Sequence, residues 1–236
     1  MKKFLFLPLL LLSVLASAQQ INDPNAQKRN VPSFQGIDVG TGIRLLLTQG
    51  SSEEVVVSAD KLEYRDRIVT KVEHGILKIH YDTQLGAINR KNESRNLRAY
   101  VSYKALDKLF ASTGAEVELK SVLSASSLEL RASTGAIVNG QIATGSLKVD
   151  QSTGSRIRVS GTAHKLEAEG STGSRFEGEG LRTESCTVAV STGARLSITA
   201  EKELQVKAST GGVVNYKGNA PVREFRTNTG GTVSKI

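Results

Sequence analysis

The tripeptide Ser-Thr-Gly recurs at a nearly constant spacing through the second half of the chain. Six copies and one Asn-Thr-Gly variant end at Gly114, Gly135, Gly154, Gly173, Gly193, Gly211 and Gly230. The steps between successive copies are 21, 19, 19, 20, 18 and 19 residues. A period in this range is typical of solenoids, in which each repeat stacks on the next. We therefore predict a solenoid of about seven coils over residues 104–236.

Apolar residues occupy fixed positions around each copy. Three residues after the glycine come Val117, Val138, Ile157, Phe176, Leu196, Val214 and Val233. Three residues before the tripeptide come Leu109, Leu130, Val149, Ala168, Val188, Val206 and Phe225. These positions share one parity, and alternation with a period of two is typical of β-strands with one buried face. The pattern predicts an all-β fold, a parallel β-solenoid.

The remaining positions of the repeat predict how the coils stack and turn. Four residues before the tripeptide, successive copies carry Lys108, Glu129, Lys148 and Glu167, whose alternating charges favour stacking in register. The glycine, which lacks a Cβ, predicts a corner. Strict alternation predicts that the threonine points inward and the serine outward, with threonine hydroxyls stacked along the corner.

The first eighteen residues have the composition of a secretory signal. Two lysines precede an apolar run from Phe4 to Leu15, and Ala16-Ser17-Ala18 provides a small-residue cleavage site. Removing this segment leaves 29 basic and 23 acidic residues and lowers the net charge from +8 to +6. A basic exported protein is attracted to anionic partners without specificity for one of them. No apolar run after Ala18 is long enough to span a bilayer.

The residues between the signal and the repeats lack the Ser-Thr-Gly pattern. We predict a flexible leader over residues 19–30 and a β-stranded N-terminal cap over residues 31–103, with a hairpin turn at His74-Gly75. A polar insertion from Asp82 to Asn96, with Arg90, Lys91 and Arg95, is expected to be a mobile basic loop.

No catalytic or metal-binding motif emerges. A nucleophilic serine needs a base and an oxyanion site, and three histidines cannot serve seven repeats. The carboxylate pairs Glu167 with Glu169 and Glu177 with Glu179 fall on outward strand positions, where solvation explains them. Cys186 occupies an apolar column and is expected to be buried and inert. We predict no catalytic residue, no metal site and no cofactor.

One column points to function. Two residues after the glycine, three consecutive copies carry Arg156, Arg175 and Arg195. In stacked coils they would form an outward ladder, and three guanidinium groups in a row suit a sulfate, phosphate or carboxylate polymer. A solvated face screened by Glu177 and Glu179 would explain the same residues.

The chain resembles the head GIN domain family. The resemblance is carried by Phe34-Gln35-Gly36-Ile37-Asp38-Val39, by Val55-Val56-Val57, by Gly75-Ile76-Leu77-Lys78-Ile79 and by the Ser-Thr-Gly coils. It covers about residues 30–236. Members are exported proteins, common in Bacteroidetes and named as autotransporter adhesins. The resemblance implies a right-handed single-stranded parallel β-helix and supplies no catalytic residues.

These observations predict an exported, noncatalytic binding or adhesion module of the cell envelope that uses the extended faces of its coils. An anionic glycan and an envelope protein are both open as partners; a nucleic acid is not expected. Two alternatives are a periplasmic scaffold for a protein partner and a polysaccharide-active enzyme. The sequence leaves open whether the protein works in the periplasm or outside the outer membrane. The terminal coil, Thr232 to Ile236, is either an exposed edge or a contact between copies.

Overall fold

The computed structural model describes residues 23–83 and 94–236. The predicted signal segment and the part of the basic insertion that holds Arg90 and Lys91 lie outside the described residues. Within the described ranges, one short helix, α1 (Leu62–Arg65), accompanies seventeen strands. The strands are Gln27–Arg29 (β1), Gly36–Val39 (β2), Arg44–Gln49 (β3), Glu54–Ser58 (β4), Ile68–Glu73 (β5), Ile76–Tyr81 (β6), Arg98–Tyr103 (β7), Lys108–Ala111 (β8), Glu116–Leu119 (β9), Leu123–Ala132 (β10), Ile137–Gln151 (β11), Arg156–Gly170 (β12), Arg175–Val190 (β13), Arg195–Ala208 (β14), Val213–Lys217 (β15), Val222–Thr227 (β16) and Thr232–Lys235 (β17).

The strands form a β-solenoid, which confirms the predicted fold class. Each of β11 to β14 is one bent strand that travels through a whole coil. In β12 the alternation of buried and exposed residues is interrupted at residues 160–162 and again at 164–165. The coil therefore bends twice in addition to the Ser-Thr-Gly corner and has three sides. We call the segment before the corner the first side, the segment after it the second side, and the segment between the two bends the third side.

The coils stack in parallel and in register. Glu129 lies between Lys108 and Lys148 on neighbouring strands, and Glu167 follows Lys148 on the next strand. The alternating charges of the first side are therefore neighbours, as the sequence predicts. The two predicted apolar columns are buried from Leu109 and Val117 onward and become exposed only in the last coil, where Phe225 is 56% exposed.

The Ser-Thr-Gly corner is a two-residue turn in which both central residues adopt positive φ. The seven repeat threonines have φ between 48° and 50°, and the glycines that follow them have φ between 68° and 76°. The residue after each glycine donates its N–H to the carbonyl oxygen of the serine, or of Asn228 in the last copy. Positive φ at both central positions defines a type I′ turn.

This turn overturns the predicted direction of the threonine. At the Ser171 corner Thr172 is exposed, whereas Ser171 is half-buried. The two left-handed residues interrupt the extended backbone, so strict alternation does not pass through the corner. The predicted stacking of threonine hydroxyls is also wrong for the described residues, in which no hydrogen bond joins successive corner hydroxyls. Instead, the glycine N–H of every corner before the last donates to the threonine carbonyl oxygen of the next coil, as Gly173 does to Thr192 at 3.0 Å.

Part of the N-terminal region continues the parallel stack of the solenoid. Thr41 and Gly42, with φ of 54° and 70°, form an eighth corner between β2 and β3. These strands pair in parallel with β8 and β9 on one side and with β6 and β7 on the other. The strands β6 and β7 thus form one more coil, and sixteen residues of the sequence separate them.

Antiparallel strands cover the N-terminal end of the solenoid. The strand β5 pairs with β6, and the predicted hairpin turn at His74-Gly75 is confirmed. The strand β4 pairs with β7, and β1 pairs with β4. The prediction of a flexible leader is wrong for residues 27–29, because β1 satisfies the outer edge of β4. The side-chain amide of Asn25 also donates to the carbonyl oxygen of Ala59 at 2.9 Å.

A substitution at the corner tests its strain. A β-branched residue at positive φ costs about 1–2 kcal/mol, and asparagine tolerates this conformation better. Thr172→Asn should therefore raise the free energy of unfolding by about 1 kcal/mol in urea denaturation. Thr172→Val keeps the β-branch and should leave that free energy nearly unchanged. A loss of stability in the asparagine variant would show that the threonine side chain itself stabilises the corner.

Candidate functional site

The three arginines of the predicted ladder lie side by side on the second side. Arg156 of β12 pairs in register with Arg175 of β13, and Arg175 pairs with Arg195 of β14. All three side chains are exposed. Neighbouring strands are about 4.8 Å apart, so the three Cα positions span about 10 Å along the solenoid axis. We call Arg156, Arg175 and Arg195 the arginine ladder.

The charge of the ladder is only partly compensated. Glu177 Oε1 lies 3.8 Å from Arg156 Nε, and its Oε2 accepts a hydrogen bond from Arg158 at 2.6 Å. Among residues 23–83 and 94–236, no carboxylate forms an ion pair with Arg175 or Arg195. Glu177 is thus shared by two arginines, and the other two keep their guanidinium donors available to a ligand.

Another arginine of the same column shows the opposite arrangement. Arg44 lies two residues after Gly42 of the corner between β2 and β3, and its Nη2 is 3.0 Å from Glu118 Oε2. Lys120 Nζ lies 2.7 Å from the other oxygen of Glu118. Hydrogen bonds from Lys120 and Arg44 hold the pKa of the Glu118 carboxyl below its usual range. Glu116 also lies beside Arg44 in register, so the two bases and two carboxylates at this end of the column sum to zero charge. Positive charge is left over only on the coils of β12, β13 and β14.

A shallow groove of about 470 Å³ lies on the other side of the corner. Its lining includes one serine from each of five successive corners, namely Ser133, Ser152, Ser171, Ser191 and Ser209. Four charged residues also line it, Arg131, Asp150, Glu169 and Lys207, and their charges sum to zero. Arg131 is already bound to Glu129, and its Nε is 3.5 Å from Asp150 Oδ2. The serine groove therefore has no excess charge with which to select an anion.

His164 lies at the second bend, where its Nδ1 is 3.3 Å from Glu184 Oε1, and Lys202 Nζ is 2.8 Å from the other oxygen of that carboxylate. Hydrogen bonds from Lys202 and His164 lower the pKa of the Glu184 carboxyl. His74 lies in the β5–β6 turn and His80 in β6, and both are distant in the chain from His164. Within the described ranges, no three His, Cys, Asp or Glu side chains are grouped so that they could hold a metal ion.

Three of the four carboxylates in the pairs noted in the sequence lie beside a basic side chain. Glu177 binds Arg158, and Glu179 Oε2 is 2.7 Å from Lys217 Nζ. Glu167 lies beside Lys148. Each carboxylate of the second pair thus already has a basic partner of its own.

Cys186 lies in the interior, as the sequence predicts, with 1% of its surface exposed. The Thr183 hydroxyl accepts from its thiol at 2.7 Å and donates to the Thr199 carbonyl oxygen at 2.5 Å. Burial raises the pKa of the Cys186 thiol to about 11. A protonated, enclosed thiol is a poor nucleophile.

Two features of this surface were missing from the sequence interpretation. Arg158 extends the positive patch by one position along β12, and its i, i+2 spacing from Arg156 was the signal that both face outward. The serine groove depends on the type I′ turn, which leaves the serine half-buried beside the corner. The positive φ of a threonine has no signature in sequence, because this conformation is rare for β-branched residues.

The fold and this surface define a class of protein, the β-solenoids with extended faces and open grooves. A family model described as "Putative auto-transporter adhesin, head GIN domain" matches residues 33–220. The chain belongs to this family, as its resemblance predicts. No functionally curated protein matches the sequence. No helix among the described residues is both long and apolar enough to cross a membrane.

Solved structures share the fold at low sequence identity. A crystal structure described as a putative adhesin from Bacteroides fragilis NCTC 9343 superposes with a TM-score of 0.79 at 16% identity, covering 89% of this chain and 96% of that one. A second putative adhesin, from Parabacteroides distasonis ATCC 8503, gives 0.69 at 19% identity with coverage of 89% and 96%. A protein described as a putative lipid binding protein from the same strain gives 0.69 at 15% identity, with coverage of 92% and 98%. These identities establish the fold alone.

The thiol provides a test of the interior. At about pH 8 the Cys186 thiol should not react with Ellman's reagent while the protein is folded, because burial keeps it protonated and enclosed. It should react completely after unfolding in urea. Thr153→Cys adds an exposed thiol at a corner and should react at once in the folded state. Rapid reaction of Cys186 in the native protein would contradict the enclosed position.

Proposed function

We propose that this protein is an exported, noncatalytic adhesion module that binds an anionic envelope polymer, such as an acidic glycan, through the arginine ladder. The observation that carries the proposal is the register of β12, β13 and β14, which sets three exposed arginines on consecutive coils. Membership in a family described as auto-transporter adhesins supports an adhesion role.

The geometry of the ladder favours a polymer over a small anion. A single exposed guanidinium attracts one anion weakly, because water and salt screen the pair. A polymer with repeated carboxylate, sulfate or phosphate groups can engage several arginines, and each further contact forms at a high effective concentration. The planar guanidinium also offers paired N–H donors that fit the two oxygens of such groups.

The shape of the surface also supports a binding role without catalysis. The three side chains of the ladder are exposed on the outer face of strands, so a long polymer can lie across them with its ends free. A glycan-cleaving site would need two carboxyl groups held on either side of the scissile bond. Near the ladder, Glu177 is engaged with Arg156 and Arg158.

The arginine ladder gives a direct test. The triple variant Arg156→Ala, Arg175→Ala, Arg195→Ala should lose at least about tenfold in affinity for polygalacturonate in low salt, a loss of about 1.4 kcal/mol. Affinity of the wild type should fall as salt is added. The matched control replaces the exposed lysines Lys108, Lys148 and Lys207 of the first side with alanine and removes the same charge. Dextran serves as the neutral polymer.

A second variant tests the same site by gain of binding. Glu177→Gln frees Arg156 and Arg158 from their shared carboxylate and should strengthen binding to polygalacturonate. If the arginine and lysine triple variants lost affinity equally, binding would depend on net charge alone, and the ladder would be overturned as a site. Unchanged binding in the arginine variant would do the same.

The cellular location has its own test. Protease added to intact cells should cleave this protein if it acts as a surface adhesin, while a known periplasmic protein remains intact as the control. Protection in intact cells, with cleavage after the outer membrane is opened, would overturn surface adhesion. The periplasmic scaffold for a protein partner would then replace it.

A further inference from the structure

The two ends of the solenoid are finished differently. At the N-terminal end the antiparallel strands β5 and β4 cover β6 and β7, and β1 covers β4. At the opposite end β16 pairs with β14, and β17 pairs with β15. No strand of the described chain pairs with the outer edge of β16 or β17. Such an edge presents unpaired backbone groups that can recruit another strand.

Apolar side chains are exposed at this open end. Phe225 continues an inward column in which the preceding member, Val206, is fully buried, yet Phe225 is 56% exposed. Ile236 is 57% exposed, and Val222 and Val233 are partly buried. The interior of the solenoid is thus open to solvent at its last coil, which indicates a surface that another apolar surface would cover.

The backbone of β16 directs specific groups toward the open edge. The N–H of Asn228 donates to the carbonyl oxygen of Ala208 at 3.0 Å and so faces the preceding coil. Successive residues of an extended strand direct their amides to opposite sides, so Thr227 and Phe225 direct theirs away from β14. Phe225 can therefore exchange two hydrogen bonds with a residue of an added antiparallel strand.

We propose that a second copy of this chain covers the open end by antiparallel pairing of β16 with β16 of the other copy, centred on Phe225. In this register Phe225 lies opposite Phe225. Glu224 of each copy lies opposite Arg226 of the other, which gives two pairs of opposite charge on the outer face. Within one chain Arg226 Nε lies 2.7 Å from Glu224 Oε1. The four charges of the two copies therefore form one cluster whose net charge is zero.

Two other features support a second copy as the occupant. Antiparallel pairing is the mode by which this chain covers its own parallel sheet at the N-terminal end. Pairing about a two-fold axis also satisfies the β16 edges of both copies at once, so no β16 edge is left open to a third copy. Arg223 is the one extra residue of β16 where its pairing with β14 shifts between Leu204 and Gln205. The Nε of Arg223 is 3.5 Å from Glu203 Oε1 of the preceding coil.

The symmetry has a consequence for binding, which rests on the proposed function. A two-fold axis perpendicular to the shared sheet exchanges its left and right flanks. The two arginine ladders would then lie on opposite flanks of the dimer, so that one dimer could join two polymer strands.

Sedimentation velocity with charge variants tests the pairing. The wild type should sediment as a dimer at micromolar concentration and dissociate on dilution. Arg226→Glu sets a carboxylate opposite Glu224 of the second copy and should raise the dimer dissociation constant at least about tenfold. The double variant Glu224→Arg with Arg226→Glu restores both opposite-charge pairs and should restore the dimer. Lys207→Glu makes the same charge change one coil earlier and should leave the dimer intact.

Cysteine cross-linking tests the register. In the proposed pairing the two Phe225 Cα atoms lie about 5.5 Å apart, within reach of a disulfide. Phe225→Cys should therefore form a covalent dimer under mild oxidation. Thr227→Cys lies on the same edge, but its two copies would be about 13 Å apart along the strands, and it should not cross-link. The native Cys186 is enclosed and does not interfere.

A wild type that remains monomeric at high concentration would overturn the proposal, and so would a dimer that Arg226→Glu does not weaken. Efficient cross-linking at Thr227 and not at Phe225 would overturn the register. Polygalacturonate binding is measured separately, so loss of the dimer with retained binding leaves the arginine ladder in place. Loss of binding in the arginine triple variant with a retained dimer would leave the pairing in place.

Discussion

The hydrogen bond between a glycine N–H and the threonine carbonyl oxygen of the next coil is the interaction on which this architecture depends. It joins each corner to the next, and a second bond closes the turn within each corner. Each bond contributes about 0.5–1.5 kcal/mol, which offsets the cost of about 1–2 kcal/mol of holding a threonine at positive φ. The left-handed threonine persists because the neighbouring corners hold it.

Stacked corners fix the register of every strand between them. Because each coil starts from an equivalent corner, a position in one repeat lies beside the same position in the next. A chemical preference that is weak in one coil becomes a continuous column over several coils. On the first side, one such column alternates lysine and glutamate, whereas on the second side another column places arginine beside arginine. The two faces that meet at the corner therefore differ in charge although they share one backbone.

The sequence was sufficient for the fold class, the buried columns and the arginine ladder, because all three follow from a repeat period and a strand period. It failed at the corner, where Thr172 points outward, because two left-handed residues break the alternation that the prediction assumed. It also failed to join the N-terminal region to the solenoid. Gly40-Thr41-Gly42 lacks the serine of the other corners, and β6 and β7 add a coil out of chain order. Long-range pairing of that kind leaves no local pattern.

The coil formed by β6 and β7 shows that a corner can be replaced without loss of register. Sixteen residues connect these strands, whereas four residues connect β8 to β9. Strands β6 and β7 stay in register because they pair with β2 and β3. The Thr41 hydroxyl also accepts a hydrogen bond from the Tyr81 N–H at 2.6 Å. Corners are therefore points at which the solenoid can acquire new loops in evolution or by design, and the faces that carry recognition need not change when it does.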